Sequence, residues 1–322
     1  MECWAVDAGG SGTTVMIDGG ERWRCGSVNP ASVGPAAAEE QLASLFSELA
    51  ERLGPRPAFG WLATATVDAG APEPELSRLA GAATAAGLAG TLVISRDIVP
   101  LLAARPLRGR GVAVVCGTGS GFLAGDGAAA PVSVGGCEYL GSDEGSAFDI
   151  GLTGLRAAVR GADGRGRPTL LAEALTGRHG VSGGTVAELS RALAARSFPK
   201  AAVAALAPEV CRCWLDGDPV AAEVIGRAIG ELVAGARAAR DRAGLAGGTW
   251  SAVLSGGVPR GCAEFGAELA RRISAELGAA AFPAVVDDPT RTVLSAARTY
   301  RGRFPDFLAG RWAWPRRLGG GR

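Results

Sequence analysis

A strand, a glycine-rich turn that carries hydroxyl groups, and a second strand occur twice in this chain, about 110 residues apart. The first turn runs from Asp7 to Thr14, and the second spans Gly117–Gly121. Glycine pairs between short apolar runs are typical of β-hairpins. Because an internal repeat dictates architecture, the sequence predicts two structural units that each begin with such a hairpin.

The other periodic segments predict an α/β fold, with a mixed sheet flanked by helices in the first third and mainly helices beyond residue 144. Predicted strands lie at 4–7, 14–17, 22–25, 59–63, 91–95, 111–116, from 122, 250–254 and 284–286. Predicted helices lie at 36–53, 73–87, 144–160, 186–196, 200–215, 219–243, 262–277 and 290–300, and one more begins just after Asp97. The tail from about residue 305 is predicted to be frayed.

The composition favours a globular protein and argues against two classes of partner. A hydrophobic fraction of 48% is sufficient for large cores, and 322 residues favour two packed lobes. The 33 basic and 32 acidic residues nearly cancel, which gives no electrostatic basis for binding nucleic acid or a membrane surface. No run is apolar enough to span a bilayer, and the start lacks the pattern of a signal peptide. We therefore expect a cytoplasmic protein.

Cysteine and histidine are too sparse and too scattered for a zinc site. The seven cysteines form no C-x-x-C pair, and His179, the single histidine, lies in a glycine-flanked turn. We expect reduced, partly buried thiols. A catalytic base in this chain is then expected to be a carboxylate.

The first glycine-rich turn suits a polyphosphate with Mg²⁺. Glycine lets backbone N–H groups approach phosphate oxygens, hydroxyls donate further hydrogen bonds, and Asp7 could hold the metal through water. A polar hairpin turn without a ligand explains the same residues.

The second turn contains G-x-G-x-G, but it is neither a dinucleotide site nor a P-loop. A dinucleotide fold needs a helix directly after the glycines, whereas a strand follows Gly121. A P-loop needs Gly-Lys-Ser/Thr, and Lys200, the only lysine, is far away in the sequence. The remaining interpretation of the two glycine-rich turns is that they are the tips of two opposed hairpins that hold phosphates.

Three further segments place polar or small residues next to predicted strands and helices. Ser255–Val258 ends a strand in paired glycines, which permits close approach of a flat group such as adenine. Asp97, between a strand and a helix, fits a general base and a helix N-cap equally well. Asp143 and Glu144 enter a helix, where they either favour its N-terminus or bind substrate hydroxyls.

Together these five segments resemble, in order and spacing across about residues 4–260, the N-acetylglucosamine kinase branch of the actin/hexokinase/Hsp70-like ATPases, grouped with the BadF/BcrA-type ATPases. The resemblance implies two RNase H-like lobes with ATP and Mg²⁺ in a cleft between them. The implied lobes are 1–108, completed by a helix at about 288–304, and 109–287, with a tail at 305–322. The implied activity is ATP-dependent phosphorylation of a hydroxyl of a sugar, an amino sugar in particular, and a homodimer is compatible with it.

The same resemblance implies a role for each matching residue. The ATP phosphates would contact Gly9, Gly10, Ser11, Gly12, Thr13, Thr14, Gly117, Thr118, Gly119 and Ser120, and adenosine would contact Gly256, Gly257 and Val258. The sugar would contact Asn29, Thr64, Asp97, Gly136, Glu138 and Asp143. Asp97 would also be the general base, and Asp7 would hold Mg²⁺.

The chain departs from the family pattern around the implied sugar pocket. Cys137 and Glu138 stand where the family commonly has Trp-Gly, Ser142 where it has Gly, and Arg96 where it often has Asn. Losing the indole removes a large flat contact, and the new charges lie near the substrate. A carboxylate at Glu138 could pair with a free amine, favouring glucosamine or an aminocyclitol. A solvated loop glutamate explains it equally well.

Two other functions remain open on the same fold. An activator ATPase that drives electron transfer into a partner enzyme needs cysteines that share an iron–sulfur cluster between subunits, an arrangement the sequence does not show. A nucleotide-dependent regulator without turnover is also compatible, because a fold does not fix a function.

Overall fold

The computed structural model describes residues 1–9, 12–67, 70–178 and 184–319. The predicted phosphate-binding residues Gly10 and Ser11 and the turn at His179 lie outside the described residues. The chain divides into two compact units. The first holds Met1–Arg110, Gly125–Pro131 and Asp288–Arg322, and the second holds Gly111–Ala124 and Val132–Asp287.

Strands and helices alternate through much of the chain. The strands are β1 (Cys3–Ala8), β2 (Thr13–Ile17), β3 (Arg22–Cys25), β4 (Ala58–Thr64), β5 (Gly90–Arg96), β6 (Arg110–Cys116), β7 (Ser120–Asp126), β8 (Val132–Gly135), β9 (Ala252–Ser255), β10 (Ala284–Val285) and β11 (Ala313–Leu318). The helices are α1 (Pro30–Val33), α2 (Pro35–Leu53), α3 (Glu73–Ala85), α4 (Val99–Ala103), α5 (Glu138–Gly141), α6 (Ala147–Ala162), α7 (Leu171–Arg178), α8 (Val186–Ala194), α9 (Lys200–Ala204), α10 (Ala207–Leu215), α11 (Pro219–Arg242), α12 (Gly257–Gly261), α13 (Ala263–Leu277) and α14 (Pro289–Tyr300).

The first unit contains a six-stranded sheet in the order β11-β5-β4-β1-β2-β3. Strands β1, β2 and β3 form an antiparallel meander, while β1, β4 and β5 run parallel to one another. Helix α2 buries a stripe of leucines and one phenylalanine at helical spacing, and Phe46 meets the Trp4 ring edge-on with 6.2 Å between centroids. Gly60 is needed beside this pair, because a Cβ there would lie 2.0 Å from the Trp4 ring.

The predicted frayed tail is wrong for residues 313–318, which form β11 at the sheet edge and pair antiparallel with β5. The side chains of Trp314 and Leu318 are buried in the core of the first unit. Trp312, just before the strand, donates its indole N–H to the carbonyl oxygen of Pro131 at 2.9 Å. Pro315 is tolerated because an edge strand leaves one side of its backbone unpaired.

The second unit contains a five-stranded sheet in the order β10-β9-β6-β7-β8. Strands β6, β9 and β10 run parallel, and β7 pairs antiparallel with β8. If β11 is set aside, the two sheets have the same strand order. In each unit, three strands that are consecutive in the chain lie side by side, and the next two strands of the unit extend the sheet on the other side of the first of the three. The predicted repeat and the α/β fold class are confirmed.

Helices α6, α11 and α13 contribute much of the second unit's core, in which Leu232 and Phe265 are fully buried. The single helix predicted over 200–215 is instead two helices, α9 and α10. Pro208 lies in the first turn of α10, where a backbone N–H has no partner within the helix. Among the described residues, no helix combines the length and hydropathy needed to cross a membrane.

Candidate functional site

The carboxyl ends of β1, β4 and β5 bring three predicted site segments of the first unit to one sheet edge. Ala8 lies opposite Thr64 in the β1–β4 register, and Thr64 lies opposite Arg96 in the β4–β5 register. The glycine-rich turn begins at Gly9, directly after β1, and Asp97 comes directly after β5. In open α/β sheets, ligands bind at the carboxyl ends of the parallel strands.

The first glycine-rich turn is closed by a bond from the Gly9 N–H to the Gly12 carbonyl oxygen at 3.1 Å. Asp7 and Thr14 face each other across the β1–β2 hairpin, and both are half-buried. The hydroxyl of Thr13 is buried, and within the described residues it has no hydrogen-bond partner. A glycine turn beside a carboxylate fits a polyphosphate with Mg²⁺, since backbone N–H groups donate to phosphate oxygens and Mg²⁺ prefers carboxylate oxygen. The Thr13 side chain, next to Thr14 on β2, lies on the opposite face of the sheet from Asp7.

Asn29 is tied to this turn through Ser27. The Ser27 hydroxyl donates to the Gly9 carbonyl oxygen at 3.3 Å and accepts the Asn29 backbone N–H at 3.2 Å. The Asn29 side-chain oxygen caps α1 by accepting the Ala31 N–H at 2.9 Å. The amide NH₂ of Asn29 makes no hydrogen bond to a described residue, so this half-buried side chain offers donors.

Thr64 belongs to a chain of polar contacts that reaches α3. Its hydroxyl oxygen lies 2.9 Å from that of Thr66, and it accepts the Thr66 backbone N–H at 3.2 Å. The Thr66 hydroxyl donates to the carboxylate of Glu75. Arg78 donates to both oxygens of that carboxylate, at 2.7 and 2.8 Å. Burial raises the pKa of Glu75, but the hydrogen bonds from Arg78 and Thr66 outweigh it and hold the pKa below its ordinary value.

Asp97 is exposed at the same edge, with one oxygen accepting the Ile98 N–H at 2.9 Å. The N-cap residue of α4 is Ile98, so Asp97 does not take the helix-cap position that the sequence leaves open. Its second oxygen has no hydrogen-bond partner among the described residues. Arg96, the departure from the family pattern, directs its guanidinium over the Trp312 ring, 5.7 Å from the centroid.

In the second unit, the turn at Gly117–Gly121 is held against the start of α6. The Gly117 N–H donates to the Gly119 carbonyl oxygen at 2.9 Å, and the N–H of Ala147 donates to the Gly117 carbonyl oxygen at 2.9 Å. The Ser120 hydroxyl is used internally, since it donates to the Glu144 carbonyl oxygen at 2.8 Å. The exposed Thr118 hydroxyl and the backbone remain for a ligand.

Asp143, predicted to contact the sugar, lies against this turn and is only 3% exposed. One carboxylate oxygen accepts the Ser120 N–H at 2.9 Å. A Cβ at residue 119 would lie 2.6 Å from the same oxygen, so the contact requires Gly119. The carboxylate therefore supports the shape of the turn.

Lys200 is a site residue that the sequence interpretation missed. Its ammonium nitrogen lies 2.8 Å from the second oxygen of Asp143 and 2.7 Å from Glu138, and 5.8 Å from the Tyr139 ring centroid. Burial lowers the pKa of Lys200, but hydrogen bonds to Asp143 and Glu138 outweigh it and raise the pKa above its ordinary value. The exposed Glu138 therefore already faces a cation. Lys200 is the only lysine among many arginines, and this is the sequence signal that could have identified it.

The predicted adenosine segment lies beside the same turn, because β9 runs parallel to β6 with Ser255 opposite Val115. Gly256 has a φ of 121°, and a Cβ there would lie 2.1 Å from the Cys116 carbonyl oxygen. This close approach requires glycine. Gly257 is exposed, whereas the Val258 side chain packs into the core, so a ligand here would meet backbone.

Gly136 lies between β8 and α5 with a φ of 70°, close to Gly121 on the neighbouring hairpin strand. The predicted site residues thus divide between the two units. The second unit holds Gly117–Ser120, Gly136, Glu138, Asp143 and Gly256–Val258, and the first holds Asp7–Thr14, Asn29, Thr64 and Asp97. Among the described residues, no three His, Cys, Asp or Glu side chains are grouped as a metal-binding cluster.

Two sheets of the same strand order, each with a glycine turn after its first strand, define the duplicated α/β fold of the actin-like ATPases. The chain belongs to the BadF/BadG/BcrA/BcrD ATPase family, whose model matches residues 6–276. The predicted resemblance is therefore confirmed at the level of the family. No curated protein gives a significant match.

Solved structures share the fold at low identity. A protein from Chromobacterium violaceum provisionally named an N-acetylglucosamine kinase is 22% identical, with a TM-score of 0.64 over 92% of this chain and 98% of that one. A protein of the same provisional name from Porphyromonas gingivalis is 18% identical, with a TM-score of 0.67 over the same shares. A ROK family glucokinase from Streptomyces griseus, solved with glucose and AMPPNP, is 14% identical, with a TM-score of 0.53 over 94% of this chain and 100% of that one.

Proposed function

We propose that this chain transfers the terminal phosphoryl group of ATP to a hydroxyl of a sugar, with an amino sugar as the substrate class. The observation that carries the proposal is the meeting of the Gly9 turn, Thr64 and Asp97 at one edge of the first sheet. A phosphate-binding turn, a polar side chain and an exposed carboxylate are the groups that a hydroxyl phosphotransferase needs near its acceptor.

Asp97 is the proposed general base. Its second oxygen is the acceptor for the proton of the attacking hydroxyl, and the Ile98 N–H fixes the orientation of the first. A carboxylate of this kind contributes about 10²–10⁴-fold to a rate when it lies within hydrogen-bond reach of the hydroxyl. Asn29 and Thr64 would orient the sugar by hydrogen bonding.

The two glycine turns and the segment at Gly256 would bind the nucleotide. The N–H groups of Gly9, Gly117 and Ser120 are bonded within the protein, so the proposed donors to phosphate oxygens are the N–H groups of Gly12, Thr118 and Gly119 and the Thr118 hydroxyl. Asp7 would hold Mg²⁺, which when bound neutralises charge on the transferred group. Membership of an ATPase family supports the nucleotide part of this proposal, and the names of structural neighbours of the same fold suggest its sugar part.

The test is ADP release from ATP·Mg²⁺ over a panel of sugars. The panel holds N-acetylglucosamine, glucosamine, N-acetylmannosamine, N-acetylmuramic acid, glucose and several aminocyclitols, each checked for a phosphorylated product by mass spectrometry. We expect ADP release that depends on at least one amino sugar, with one phosphate added per ADP. Nucleotide binding without a response to any sugar would contradict the proposal.

A further inference from the structure

The hydroxyl of Thr66 lies between a carboxylate and another hydroxyl, which fixes where its proton points. A threonine hydroxyl has one proton and two lone pairs, whereas an ionised carboxylate can only accept. The contact between Thr66 and Glu75 therefore uses the Thr66 proton. In the 2.9 Å contact between the two hydroxyls, Thr66 must then accept and Thr64 must donate.

This order leaves Thr64 with no proton to offer a ligand. Its proton points to Thr66, and one of its lone pairs accepts the Thr66 backbone N–H. One lone pair remains on this hydroxyl, whose side chain is only 1% exposed and lies at the carboxyl end of β4, between Ala8 and Arg96 in the sheet register. In this arrangement Thr64 is an acceptor toward any substrate that reaches this edge.

Arg78 keeps the Glu75 carboxylate ionised and holds it beside Thr66, as the direction of the two hydroxyl protons requires. Its guanidinium donates to both oxygens of Glu75 and, at 2.8 Å, to Glu39 on α2. It also reaches the carbonyl oxygen of Val28, the residue before Asn29, at 3.5 Å. Charge-assisted, two-point bonding to arginine favours the ionised carboxylate, so Glu75 stays an acceptor at neutral pH. The same arginine thus contacts the segment that carries Asn29 directly, and it is linked to Thr66 and Thr64 through Glu75.

We propose that Glu75 is a positioning residue that fixes the direction of the Thr66 and Thr64 hydroxyl protons, so that the site selects a sugar which donates a hydrogen bond to Thr64. Such donors are a hydroxyl, an acetamide N–H or an ammonium group. A deoxy position, or one bearing fluorine, lacks the donor and is disfavoured. This inference rests on the proposed function, in which Thr64 contacts the sugar.

The experiment compares kcat/KM for a sugar substrate and its deoxy and deoxyfluoro analogues at each ring position, in the wild type and in Glu75→Gln. At the ring position that contacts Thr64, the wild-type kcat/KM is expected to be higher by about tenfold or more for the sugar with a hydrogen-bond donor than for its deoxy or deoxyfluoro analogue. A glutamine amide can donate as well as accept, so the hydroxyl protons of Glu75→Gln can reverse. We expect this preference to fall by about tenfold in the variant, with the KM for ATP within about twofold of the wild-type value.

Two further variants separate positioning from a general loss of structure. Glu73→Gln alters a carboxylate two residues earlier on the same helix, 69% exposed and bonded to Arg316, and should keep the wild-type preference. Thr66→Val removes the middle of the chain and should lose the preference even if Glu75→Gln does not fold. In the double variant the loss should not exceed that of either single change, because both break one chain.

The outcomes separate the inference from the function on which it rests. A wild-type preference retained in both Glu75→Gln and Thr66→Val overturns the inference and leaves the kinase proposal standing. An equal loss in Glu73→Gln also overturns it. Absence of sugar-dependent turnover in the wild type overturns the proposed function, and the inference with it.

Discussion

The ammonium nitrogen of Lys200 lies 2.8 Å from one oxygen of the buried Asp143, whose other oxygen accepts the backbone N–H of Ser120. One carboxylate thus joins the only lysine of the chain to the second glycine turn. A buried charge needs both a counter-ion and hydrogen bonds, and Asp143 has both. The aspartate that the sequence assigned to the sugar therefore already supports a proposed phosphate-binding turn.

Replacing Lys200 by Met should leave the Asp143 carboxylate buried without its cation. We expect the free energy of unfolding to fall by about 1–3 kcal/mol, the typical cost of an unsatisfied buried polar group. Chemical denaturation measures the change. Lys200→Arg should recover part of the loss, whereas Arg237→Met, which breaks an exposed pair with Glu276, should change stability by less than about 0.5 kcal/mol. Equal losses in Lys200→Met and Arg237→Met would contradict the account.

Gly119→Ala should weaken both stability and ATP binding. The added methyl group would lie 2.6 Å from the Asp143 oxygen that accepts the Ser120 N–H, so either the turn or the carboxylate must move. We expect a loss of about 1–3 kcal/mol in unfolding free energy and weaker nucleotide binding by calorimetry. Gly226→Ala is the control, because this exposed glycine in α11 has open space and alanine favours helices. A Gly119→Ala protein as stable as the wild type would rule out the close contact.

The stability of the first unit should depend on the ionisation of Glu75. Its pKa is held below the ordinary value, so the carboxylate contributes stability above the unfolded pKa of about 4.3. That contribution is lost as the pH falls through the lower folded pKa. The difference in unfolding free energy between the wild type and Glu75→Gln should therefore be largest near neutral pH and shrink below about pH 4.3. Denaturation curves from pH 7 to pH 3.5 measure it, and a difference that grows in acid would contradict the assignment.

Much of the fold could be predicted from local patterns, because glycine turns between short apolar runs indicate hairpins wherever they occur. The strand β11 was missed because its arginines and Pro315 look solvated, and only pairing with β5 and burial of Trp314 and Leu318 make it a strand. The network of Glu75, Arg78 and Thr66 was also missed. Glu75 and Arg78 are three residues apart on α3, so helical spacing alone brings them together. Thr66 approaches them only through the packing of α3 on the sheet, which no local period reveals.

In the proposed reaction, Asp97 accepts the proton of the attacking sugar hydroxyl. The direct test is the turnover number of Asp97→Asn with the best sugar of the panel, beside its affinity for ATP·Mg²⁺, with Asp306→Asn, an exposed aspartate in the C-terminal segment, as the matched control. We expect Asp97→Asn to lose about 10²–10⁴-fold in kcat and to keep its nucleotide affinity, while Asp306→Asn is unchanged in both. Near-normal turnover in Asp97→Asn would contradict the proposed role of Asp97.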